Sequence, residues 1–154
     1  MTKTLLMVAH CPSENTRKLW QAVEDGVNSV ELEFTRFRAL PPLETEAKDV
    51  LEADAIILGT TENLGYMSGA LKDFFDRCYY PCLEEQQGLP CAAFIRAGHD
   101  GTGTRQALLT ITTGLKWRWV QEPLVLKGSY QTHFEQDCFE LGAAMASALD
   151  QGII

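Results

Sequence analysis

Paired cysteine motifs, long apolar runs and basic charge are what this chain is short of. Its five cysteines, Cys11, Cys78, Cys82, Cys91 and Cys138, form no Cys-x-x-Cys pair and no zinc-ligand spacing, so no metal site is expected. Cys78 and Cys82, four apart at a helix end, read as two partly buried thiols rather than a redox pair or metal clip. No stretch reaches the ~18 apolar residues that a membrane-spanning helix needs. Met1-Thr2-Lys3-Thr4 leads straight into a short strand rather than a signal peptide, so the expectation is a cytoplasmic protein with no membrane partner. Lys and Arg number 13 against 21 Asp and Glu, a formal net charge of −8 with a sequence pI near 4.8. That balance argues against a nucleic-acid partner, because phosphate contacts require clustered cations. An acidic surface of this kind maintains solubility or steers a basic redox partner. Internal repeats and low-complexity tracts are absent, and so is Gly-x-Gly-x-x-Gly: Gly98 to Gly103 runs Gly-x-x-Gly-x-Gly, the wrong order for a dinucleotide fingerprint.

What is present suits one soluble globular domain spanning residues 1–154, with 45% apolar and 22% charged residues. A chain of this length buries roughly two-thirds of its unfolded surface without staples. Thr4 to Ala9 is continuously apolar, as a central parallel strand covered on both faces must be. A helix is predicted from about Thr16 to Val27, with Leu19, Val23 and Val27 inward. Val30-Glu31-Leu32-Glu33-Phe34 alternates and predicts a half-buried edge strand. Pro41-Pro42 opens a loop and short helix before the apolar strand Ala55 to Leu58. Leu71, Phe74, Phe75, Cys78 and Tyr79 keep helical spacing, and Tyr80-Pro81 is expected to end that helix. Cys91 to Ile95 is the next strand, Thr104 to Leu115 a helix, and Trp117 to Leu126 holds a last strand made an edge by Pro123. Phe134, Cys138, Leu141, Met145 and Leu149 mark a closing helix. Strands alternating with helices predict an α/β three-layer sandwich: a five-stranded parallel sheet of order 2-1-3-4-5 with helices on both faces.

Open sheets of this order bind ligands beyond the carboxyl ends of their strands, and three loops converge there: His10 to Thr16, Thr60 to Met67 and Ala97 to Gly103. In the first, the Ser13 and Thr16 hydroxyls, the Asn15 amide and the free N–H groups of a helix start compose an anion site. Simple helix capping by Ser13 or Asn15 explains the same residues without a ligand. The second loop places Gly65 and Gly69 around a turn, with Ser68 positioned to cap the following helix.

Ser13-x-Asn15-Thr16 after the first strand resembles the flavodoxin and NAD(P)H-dependent FMN reductase superfamily, and two further motifs carry the likeness. These are Gly59-Thr60-Thr61-Glu62-Asn63-Leu64-Gly65-Tyr66-Met67-Ser68-Gly69 with Leu71-Lys72-Asp73-Phe74, and Ala97-Gly98-His99-Asp100-Gly101. The resemblance implies a flavodoxin-like fold, FMN as cofactor and NAD(P)H as a possible electron donor to a small-molecule or protein redox partner. By it, Ser13, Asn15 and Thr16 would hold the FMN phosphate. Thr61, Glu62, Asn63, Leu64, Gly65 and Tyr66 would meet the pyrimidine side of the ring, and Gly98, His99 and Gly101 its other side. Pro12, which has no N–H, and Glu14, whose carboxylate must point away from a phosphate, depart from the family's loop.

Other readings compete. His10-Cys11-x-x-x-x-x-Arg17 matches the Cys-x5-Arg loop of low-molecular-weight tyrosine phosphatases, with Cys11 as nucleophile and Arg17 as phosphate clamp. Against that stand Pro12, Glu14, a loop without glycine and the lack of an Asp-Pro pair. A response-regulator receiver domain needs carboxylates where His10-Cys11 and Gly59-Thr60 stand. A flavin-free interaction module on the same fold is the non-enzymatic alternative. His10 and His99, at the crevice, read as loop-bonding residues before proton relays. Trp20, Trp117 and Trp119 read as packing residues.

Overall fold

The computed structural model describes residues 2–154. Its chain runs β1 (Lys3–Ala9), α1 (Glu14–Asn28), β2 (Thr35–Leu40), a short 3-10 helix (Pro42–Glu44), α2 (Ala47–Leu51), β3 (Ala55–Asn63) and β4 (Tyr66–Met67). It continues through α3 (Gly69–Cys82), β5 (Pro90–Ala97), α4 (Thr102–Leu115), β6 (Arg118–Trp119), β7 (Leu124–Lys127) and α5 (His133–Asp150). The strands pair in the order β2-β1-β3-β5-β6, with β7 also on β5 and β4 folded back on β3. This is the doubly wound order the alternation of elements predicts, and each neighbour pair on the main path is parallel. Seven strands stand where five were expected, because the fifth position is split and β3 carries a hairpin partner.

Two apolar layers flank the sheet, and strict alternation along the central strands feeds both. Leu6 and Val8 of β1, Ile56 and Leu58 of β3, and Cys91, Ala93 and Ile95 of β5 join α3 and α4 through Leu71, Phe74, Phe75 and Leu108. Leu5, Met7, Ala55, Ile57, Ala92 and Phe94 face the other way, onto Leu19 and Val23 of α1 and Phe134, Cys138, Leu141 and Met145 of α5. A strand that must satisfy both layers has no polar face left, which is why β1 reads as one unbroken apolar run.

Three boundaries differ from the sequence reading. The edge strand is Thr35–Leu40, paired with β1 from Lys3↔Thr35 to Val8↔Leu40, and residues 30–34 lie outside any strand. Alternation runs from Val30 to Phe34, breaks at Thr35-Arg36 and resumes in the opposite phase from Phe37 to Ala39, so both halves alternate and period cannot say which enters the ladder. Contacts from elsewhere decide it: the Asp150 carboxylate accepts the N–H of Glu33 at 3.0 Å and of Phe34 at 2.7 Å, anchoring that segment beside the end of α5. The helix α3 keeps Pro81 inside its last turn and ends at Cys82. There the missing donor costs a single terminal bond, and carrying the helix on buries Cys82 in the core. The final strand is interrupted: β6 pairs with the start of β5 and β7 with its end, leaving Pro123 in the gap where no ladder donor is needed.

Candidate functional site

The carboxyl ends of β1, β3 and β5, adjacent and parallel, deliver the three expected loops to one edge of the sheet. The first loop is a tight helix entry. Ser13 caps α1: its hydroxyl accepts the Thr16 N–H at 3.1 Å, while the Thr16 hydroxyl accepts the Ser13 N–H at 2.9 Å. This reciprocal box leaves the N–H groups of Glu14 and Asn15 with no protein acceptor among the described residues. Thr16 is buried by the box, whereas Ser13, Glu14 and Asn15 are exposed. The capping reading therefore holds for Ser13 and not for Asn15, with Thr16 completing the box, and the helix start remains open to an anion through its backbone.

The second stretch is a β-hairpin where a loop was expected. The strand β3 runs on to Asn63, turns through Leu64 (φ 53°) and Gly65 (φ 76°), and returns as β4 with Asn63 opposite Tyr66. Two consecutive residues with positive φ make the turn whose twist suits a tight hairpin. The Thr60 hydroxyl accepts the Ser68 N–H at 3.0 Å, and Ser68 in turn caps α3 by accepting the Leu71 N–H at 3.1 Å. Thr61 donates to Asn63 Oδ1 at 2.8 Å, stiffening the approach to the tip. At the tip Leu64 is fully exposed and Tyr66 is 40% exposed, so an apolar wall stands at the crevice.

The third stretch, Gly98 to Gly101, is a short turn into α4. Gly101 sits at φ 71° immediately before the helix, and the exposed Asp100 accepts the Thr102 N–H at 3.1 Å. That bond holds the Asp100 carboxyl below the usual carboxylate range. The Glu62 side chain reaches across from the hairpin to this turn, its two oxygens accepting the N–H of His99 at 3.1 Å and of Gly101 at 2.9 Å. Sequence reasoning placed Glu62 at the site for its backbone and missed this bridge, for which no local signal exists across 37 residues. His99 is exposed, while burial lowers the His10 pKa from its ordinary value.

A separate pocket of about 500 Å³ opens beside the first loop, lined by His10, Cys11, Pro12, Arg17, Trp20, Gln21 and Pro41, and shares no residue with the second or third loops. The phosphatase reading fails here. Burial pushes the Cys11 thiol up to about 12, and Arg17 is turned back to donate to the Pro12 carbonyl at 3.2 Å. A thiol protonated at neutral pH is no nucleophile. Cys78 and Cys82 are free thiols, and both are buried rather than partly buried. Trp117 is buried, and Trp119 donates to the Thr112 hydroxyl at 2.9 Å, so both pack rather than face the crevice. Among the described residues there is no cluster of three or more side chains suited to a metal, and no helix is long and apolar enough to cross a membrane.

Strand order, helix placement and loops at the switch point between β1 and β3 define a flavodoxin-like α/β protein. Residues 2–132 match the model of the NADPH-dependent FMN reductase family, and the chain belongs to that family. It is 32% identical over 111 residues to a flavodoxin of Aquifex aeolicus (strain VF5), a match covering 72% of this chain and 59% of that protein. The chain thus matches somewhat under two-thirds of that relative's length. Among solved structures it resembles a flavodoxin from the domain Archaea (TM-score 0.72, 19% identity, 97% of this chain and 99% of that one). It also resembles the two-electron reduced flavodoxin of Megasphaera elsdenii (TM-score 0.75, 18% identity, 94% and 99%). At such identities these structures speak for the fold.

Proposed function

We propose that this chain binds FMN at the carboxyl edge of its sheet and passes electrons from NAD(P)H to a flavin- or quinone-type acceptor. The observation that carries the reading is the hairpin tip. Leu64 is wholly exposed and held in the left-handed region, on the same edge of the sheet as the start of α1 with its free N–H groups, a combination that fits a ligand with a flat apolar face at one end and a phosphate at the other. The family match to an NADPH-dependent FMN reductase over residues 2–132 supports the reductase form.

In this reading the Glu14 and Asn15 N–H groups and the Asn15 side chain receive the phosphate. Ser13 and Thr16 shape the turn that presents them. Pro12 precedes the turn, so its missing N–H removes no donor from the helix start. The exposed Glu14 side chain has solvent to turn into. Thr61, Glu62, Asn63 and Gly65 supply backbone groups along the hairpin for the polar edge of the ring, and Leu64 and Tyr66 cover its face. Gly98, His99 and Gly101 border the opposite side. Bound FMN supplies the hydride and electron chemistry, while the chain sets orientation, access and local charge. The similarity to a curated flavodoxin supports a second form of the same reading, a carrier that draws electrons from a separate reductase.

Reconstitution with excess FMN followed by desalting is the direct test, and the expected result is a yellow protein with stoichiometric flavin. A colourless protein overturns the reading in favour of a flavin-free module. Steady NADPH or NADH oxidation with a quinone or ferricyanide, without added reductase, identifies the reductase form. Dependence on an added reductase identifies the carrier.

A further inference from the structure

Parallel pairing between β3 and β5 ends at Thr61↔Arg96, so beyond that point no ladder bond fixes the hairpin against the turn after β5. Glu62 is the next residue along. Its two carboxylate oxygens take the N–H groups of His99 and Gly101, which stand two residues apart in the facing turn. A second contact closes the far end of the same gap: a Cβ added at Gly103 would lie 2.0 Å from the Gly65 carbonyl oxygen, so the hairpin tip rests on the first turn of α4.

We infer that Glu62 is a positioning residue, a latch that sets the separation of the two walls of the crevice through its side chain. What the crevice holds rests on the FMN reading above. The latch itself is a property of this chain. A carboxylate suits the task because it offers an acceptor oxygen to each N–H, and bonds to an ionised acceptor are the stronger kind. The arrangement also withdraws the His99 and Gly101 N–H groups from any ligand. Polar atoms along the ring edge must then be met by the hairpin backbone, and the turn contributes position instead of hydrogen bonds.

Glutamine and alanine at position 62 separate a latch from a mere charge. Both remove the charge, but glutamine keeps one acceptor oxygen and the side-chain volume, whereas alanine keeps neither. Amide hydrogen exchange of the buried Gly101 in the flavin-free protein, followed by NMR, reads the latch directly. An FMN titration reads its consequence. Glu62→Ala should speed Gly101 exchange at least about tenfold and raise the FMN dissociation constant about tenfold, equivalent to ~1.4 kcal/mol, with Glu62→Gln between it and wild type in both. Unchanged Gly101 exchange in Glu62→Ala, or equal effects of glutamine and alanine, overturns the latch. Wild-type protein that binds no FMN while its Gly101 exchange still follows residue 62 defeats the flavin reading and leaves the latch standing.

Discussion

Leu64 carries two unfavourable features at once, a left-handed backbone and an apolar side chain wholly in water. A non-glycine residue in that conformation costs roughly 1–2 kcal/mol, and Asn tolerates it better. Leu64→Asn should therefore raise the urea stability of the flavin-free protein by about 1 kcal/mol while weakening FMN binding about tenfold, because the apolar wall is gone. Stability and affinity moving together would contradict the role given to this side chain. Cys11 makes the opposite case, a residue whose motif promises chemistry that its environment withdraws. With the thiol pushed up to about 12 by burial, p-nitrophenyl phosphate turnover should stay at background in wild type and in Cys11→Ser alike. Turnover lost in the serine variant would restore the phosphatase reading.

Between elements, α1 and α5 approach each other closely. A Cβ at Gly26 would lie 2.0 Å from the Phe139 carbonyl oxygen, and one at Gly142 would lie 2.2 Å from the Val23 carbonyl oxygen. The two helices touch backbone to backbone at reciprocal glycines. In an exposed helix Gly→Ala gains about 1 kcal/mol, but here it must push the helices apart. Gly142→Ala should accordingly destabilise by about 1–3 kcal/mol in urea unfolding, the cost of overpacking. A more stable variant would show that the helices do not meet this closely.

At the other end of α5, Asp150 anchors the segment before β2, and its bonds to the Glu33 and Phe34 N–H groups lower its pKa. A carboxylate depressed in the folded state stabilises above its unfolded pKa of ~3.9, and loses that stabilisation as pH falls through the folded value. Asp150→Asn should be less stable than wild type at about pH 7, with the difference closing by about pH 2–3. A difference that does not depend on pH would assign the effect to packing.

For the molecule as a whole, the net charge of −8 acts on encounter rather than on fold. If the flavin-loaded protein reduces a cationic haem protein, the rate should fall as ionic strength rises from about 0.01 to about 0.15 M, where the screening length shrinks from ~30 to ~8 Å. Reduction of a neutral quinone over the same range should be nearly flat. Equal salt dependence for both acceptors would show that the acidic surface serves solubility alone.

The burial of both sheet faces, the helical stripes, the strand order and the three loops at the carboxyl edge were legible in the sequence. Periodicity is a local record of which side of an element meets the core, and α1 and α5 carry it in full, while the unbroken apolar run of β1 records a strand covered on both faces. Only the tertiary structure decided that Thr35–Leu40 rather than residues 30–34 pairs with β1, because both halves of the run alternate and the choice lies with contacts from Asp150. It also decided that Thr60 to Met67 is a hairpin, that Gly26 and Gly142 meet, and that the Glu62 side chain belongs to the turn after β5. Each of these joins residues far apart in the chain, and neither propensity nor spacing carries information about a partner that arrives only on folding.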